Sequence, residues 1–78
     1  MKQELKATKL DVLRFIQSSG VIDTMDLVNR FGYSYSGARV RLHRLEKTKL
    51  VEELGIRPGA FCLTNEAERR LEYHAERH

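Results

Sequence analysis

The stretch SGARVRLHRLEK, residues 36–47, decides how this chain folds. In steps of two, Ala38, Val40 and Leu42 share a face, as on a strand; in steps of three and four, Ala38, Leu42 and Leu45 share one, as on a helix. The strand reading puts Leu45 on the wrong face and requires the helix-favouring run RLHRLEK to be extended. A helix is therefore expected, with Ala38, Leu42 and Leu45 inward. At about 100° per residue, Ser36, Arg39, Val40, His43, Arg44 and Lys47 spread over its outer half. Arg41 falls on the border, where its stem covers apolar surface and its head reaches solvent.

That outer half concentrates the charge of the molecule. The 78-residue chain carries a net charge of +3. Residues 34–49 hold Arg39, Arg41, Arg44, Lys47 and Lys49 against Glu46, a net of +4, so everything else sums to −1. A basic element on a near-neutral body is the footprint expected of a nucleic-acid binder. With 41% hydrophobic and 32% charged residues the composition is that of one small folded domain with one modest core. No apolar run approaches the roughly 20 residues that span a bilayer. The polar start MKQELKATKLD does not read as a secretion signal, so the expected location is cytoplasmic, with no membrane contact. The single cysteine, Cys62, excludes an intramolecular disulfide and is expected as a buried small hydrophobe in the run AFCL. His43, His74 and His78 do not form a metal set with it. No nucleophile, base and orienting group recur at suggestive spacing and no phosphate-binding glycine loop is present, so neither an enzyme nor a cofactor is expected.

Working outward from residues 36–47, the punctuation at Gly20, Gly32, Gly55 and RPG (57–59) divides the chain. In TKLDVLRFIQSSG, Thr8 caps a helix with Asp11 in its first turn; Leu10, Val12, Leu13 and Ile16 form the stripe, with Phe15 beside it for a neighbouring helix or a second subunit. In VIDTMDLVNRFG, Val21-Ile22 is at most an edge strand and Asp23 caps a short helix, with Asp26 as a partial capping box. Met25 or Thr24, Leu27, Val28 and Phe31 make its apolar face, and Gly32 closes it. Ser34 caps the central helix. Leu50-Val51 and Ala60-Phe61-Cys62-Leu63 are β-prone runs about a bend with Arg57 near its tip. Thr64 caps a last helix with Ala67, Leu71, His74 and Ala75 inward.

This order, and four segments in particular, resemble the winged helix-turn-helix domains of bacterial and archaeal transcriptional regulators. GVIDTMDLVNRFGYSYSGARVRLHRLEKTKLVEE is similar to that family's second helix, turn, recognition helix and first wing strand. Within it LEKTKLVEE resembles the passage from helix to wing, RPGAFCLT the returning strand, and LTNEAERRL the start of the following helix. The resemblance implies a mainly α fold with a small β-hairpin wing, in the order α-β-α-α-β-β-α. It implies one domain over 1–78: helix 8–19, short strand 21–22, helix 24–31, recognition helix 35–48, wing 50–63 and C-terminal helix 65–76. Two positions depart from the family. Lys49 stands where Gly is frequent, and Gly37 where Thr or Ser is. Gly37 costs roughly 1 kcal/mol of helix stability against Ala, which suggests close approach to the second helix or to a DNA backbone.

The function so implied is sequence-specific binding of double-stranded DNA by a small transcriptional regulator, with helix 35–48 in the major groove and the wing on the backbone or minor groove. Arg39 is the first candidate for a guanine, and Val40 for a thymine methyl. Ser34, Tyr35, Ser36 and His43 are candidate donors to bases or phosphates. Arg44 and Lys47 are expected on phosphates, and Arg57 on a phosphate or in the minor groove. A homodimer through the terminal segments, with Leu5, Phe15, Leu71 and Tyr73, is the expected assembly. Two other readings compete: a winged-helix protein-interaction module without DNA binding, and RNA binding, for which the aromatics are too few and scattered to form a stacking platform.

Overall fold

The computed structural model of the protein describes residues 7–77, with side chains through Tyr73. The roles expected of Leu5, His74, Ala75 and His78 lie outside that description. Helix α1 runs Lys9–Ser19. It starts at Thr8, whose extended backbone (φ −82°, ψ 166°) and side chain exchange two hydrogen bonds with Asp11. The Asp11 N–H donates to Thr8 Oγ1 at 3.1 Å, and the Thr8 N–H to Asp11 Oδ2 at 2.9 Å. Strand β1 (Ile22–Asp23) leads directly into α2 (Thr24–Phe31), and the same reciprocal cap joins Asp23 and Asp26, so the capping box expected to be partial is complete. Gly32 ends α2 in the left-handed region at φ 77°, where a side chain would be strained. Eight residues do not hold a helix in water on their own, and α2 is held by Leu27, which is fully buried.

Two details of this segment differ from expectation. The strand begins at Ile22 rather than Val21, because Ile22 is the residue that pairs with Phe61 and enters the core, whereas Val21 stays exposed. Of Thr24 and Met25, Thr24 is half-buried and Met25 is exposed.

Helix α3 (Tyr35–Lys47) follows, capped by Ser34, then β2 (Val51–Glu53), β3 (Ala60–Leu63) and α4 (Asn65–Arg77). The sheet is antiparallel with order β1-β3-β2. The fold is thus four helices with a small three-stranded sheet. Its core draws on every helix, with Ile16, Leu27, Leu42 and Leu71 among the residues closed off from solvent. Cys62 was expected in that core and is half-buried instead. Its cross-strand partner is Glu52, and partners share a sheet face, so the thiol lies on a side the carboxylates also occupy. Burial first, and the charges of Glu52 and Glu68 second, push the thiol's pKa up.

The α3–β2 passage is closed by Lys49, the one non-glycine residue described with a positive φ, 64°. The Leu50 N–H donates to the Leu45 carbonyl at 2.9 Å and the Lys49 N–H to that of Glu46 at 3.0 Å, the bond pair of a Schellman closure. Lysine therefore adopts the conformation glycine would take there. The Thr64 hydroxyl donates to the Lys49 carbonyl at 2.8 Å and accepts the Ala67 N–H at 3.2 Å, tying the end of α3 to the start of α4. At the hairpin bend, Pro58 and Gly59 (φ 85°) occupy the middle of a turn closed by the Ala60 N–H on the Arg57 carbonyl, 3.1 Å, the residues a type II turn asks for.

Candidate nucleic-acid interface

The face expected to meet nucleic acid is created by what α3 buries. Ala38, Leu42 and Leu45 are all in the core, and each leucine gains about 2 kcal/mol from burial. This fixes the rotation of the helix. Ser36, Val40 and Lys47 then lie opposite the buried stripe, flanked by His43 and Arg44. Tyr35, Ser36, Arg39, Val40, His43, Arg44 and Lys47 are all exposed. Val40 is 47% exposed, an apolar side chain among cations. Glu46 is the only carboxylate on α3.

The Ser34 hydroxyl accepts the Gly37 N–H at 3.0 Å, so its first role is to cap the helix. The same contact bears on Gly37 and corrects one of the two reasons expected for it, the approach to the second helix. A Cβ there would come within 3.0 Å of Ser34 Oγ and of nothing else nearby, so the close approach is to the helix's own cap and not to the second helix.

The two flanks of α3 meet different surroundings. Toward the hairpin, Tyr35, Arg39, His43 and Glu46 line a groove of about 370 Å³ together with Glu53, Gly59 and Phe61. Glu53 also fixes the hairpin, accepting the Gly59 N–H at 2.7 Å. Toward the first helix, Arg41 and Arg44 line a cleft of about 180 Å³ with Thr8, Lys9, Val12 and Leu45. The Arg41 guanidinium sits 4.3 Å above the Tyr33 ring, the border position its place on the helix implied. Tyr33 stacks on Phe31 at 5.5 Å, and Phe31 meets Phe15 edge-on at 5.6 Å. Of the two neighbours considered for Phe15, the one present is thus another helix. On that side Asp11 is held below the ordinary carboxylate range, first by the Thr8 backbone N–H and hydroxyl and then by Arg14 and Arg30.

Arg57 is not extended from the hairpin tip. It turns back to Asp23 Oδ2 at 3.6 Å, with both side chains partly exposed. Such a pair contributes at most about 1 kcal/mol and can be exchanged for a stronger anion. The most exposed apolar residue at the bend is Ile56, at 95%, which sequence reading passed over although a β-branched residue inside a Gly- and Pro-marked turn is itself a signal. Of the residues expected on a subunit interface, Leu71 belongs to the chain's own core, which corrects that expectation, and Tyr73 is exposed. Among the described residues no helix is long and apolar enough to cross a membrane. Comparison of the chain with models of protein families, with curated proteins and with solved structures found no match.

Proposed function

We propose that the protein is a winged helix-turn-helix regulator that binds double-stranded DNA, with α3 as recognition helix in the major groove and the hairpin as wing. One observation carries the reading: the buried stripe turns Arg39, His43, Arg44, Lys47 and the apolar Val40 together into solvent on a single helix. Thirteen residues make that helix about 20 Å long, and the major groove, about 12 Å wide, admits one helix. Arg39 grips a guanine through two hydrogen bonds and Val40 meets a thymine methyl. Tyr35, Ser36 and His43 donate to bases or phosphates. Arg44 and Lys47 neutralise phosphates, and Arg57 exchanges Asp23 for one. Two copies related by a two-fold axis double this limited contact area.

A second reading, a protein-interaction module, draws on Ile56, whose near-complete exposure at the hairpin bend suits a pocket on a partner protein. Fluorescence anisotropy with a random-sequence duplex separates the two. Binding is expected at low salt, with log affinity falling against log salt by roughly 0.9 per phosphate contact. No binding at high micromolar protein sinks the DNA reading and leaves the interaction module.

A further inference from the structure

The cleft between the start of α1 and α3 has no place in the assignments above. Its rim holds three exposed cations, Lys9, Arg41 and Arg44, and its floor is Val12 and Leu45, both buried. No carboxylate lines it. The acid of the adjoining turn, Asp11, has its Oδ2 on the Thr8 N–H and lines a neighbouring cleft with Arg14 and Arg30. The opposite flank is different in kind, because Arg39 and His43 there share their groove with Glu46 and Glu53.

A helix lying in a major groove has one phosphate strand along each flank. A strand gains from each cation it neutralises and loses where a carboxylate stands beside that cation. From this asymmetry we infer that the α1–α3 cleft takes a sugar-phosphate segment of the duplex, with Lys9 and Arg41 joining Arg44 on its phosphates. The inference rests on the DNA-binding reading and adds two residues from outside the outer face of α3. The apolar floor suits deoxyribose carbons, and the cationic rim suits the phosphate oxygens on either side. Arg41 is ordered in advance by the Tyr33 ring, so less side-chain freedom is lost when a phosphate arrives. The strand along α1 therefore makes more of the electrostatic contact than the strand along the hairpin.

The test compares salt slopes on one random-sequence duplex, by fluorescence anisotropy, for the wild-type chain and two double variants. Lys9→Gln with Arg41→Gln is expected to make the slope shallower by about 1.8, two contacts' worth. Arg39→Gln with Arg57→Gln is expected to change it by about half as much, the one phosphate contact of Arg57. Because Arg41→Gln also gives up the contact with Tyr33, Lys9→Gln alone is measured as well; it leaves the core untouched and should make the slope shallower by about 0.9. An unchanged slope for Lys9→Gln, or a hairpin-side effect equal to the α1-side one, overturns the inference while wild-type binding stands. Failure of the wild-type chain to bind at all overturns both.

Discussion

The two flanks of α3 present similar cations and differ in their acids. Toward the hairpin, Arg39 and His43 stand over a groove shared with Glu46 and Glu53; toward α1, Arg41 and Arg44 are joined by Lys9 with no carboxylate in the cleft. Along the chain this difference is invisible, because residues 34–49 simply sum to +4. The fold creates it, by bringing Glu53 from β2 to one side and Lys9 from α1 to the other. A local charge count thus singles out the basic element, and the packing around that element decides which of its sides is free of carboxylates.

If the hairpin-side flank reads bases and the α1-side flank holds phosphates, substitutions on the two should fail differently. The largest effect is expected from Arg39→Ala, which should weaken binding to a preferred site by about 1–3 kcal/mol more than binding to random DNA. Equal losses on both, in paired titrations, would make Arg39 a phosphate contact and erase the contrast between the flanks. A smaller effect, on stability, is expected from Lys49→Gly. A non-glycine residue in the left-handed region costs about 1–2 kcal/mol, and glycine returns roughly 0.5–1 of that through its freedom in the unfolded chain. The variant should gain up to about 1 kcal/mol, read as a Tm higher by a few degrees. Lys49 lies beyond both flanks, so an accompanying change in the salt slope would show that charge at the end of α3 matters as much as its sides.

Much of the fold was legible because its signals are local. The caps at Thr8, Asp23 and Ser34 each join residues three apart, and the stripe Ala38, Leu42, Leu45 needs only helical periodicity. Position 49 stood out only as a lysine in place of a frequent glycine, and that Lys49 itself turns left-handed was not legible from it. What escaped depends on residues distant in sequence. Arg57 was read near the hairpin tip as a contact for a phosphate or the minor groove, and its ion pair with Asp23 of β1 was not foreseen. Leu71 was read both as an inward residue of the last helix and as part of a subunit contact, and it packs in the chain's own core. Gly37 invited a tertiary explanation and has a local one in Ser34. Lys9, 25 residues before the basic segment begins at Ser34, carries no sign of its proximity to Arg41 and Arg44 until α1 is packed.

The central claim is that the exposed face of α3 and the cleft beside it form one surface for duplex DNA. A backbone-amide NMR titration with a random-sequence duplex tests it most directly. The account predicts shifts over residues 34–47, at Lys9 and at the hairpin bend, with little change in α4. Shifts centred on α4 or confined to the surroundings of Ile56, or no shifts at all, would contradict it.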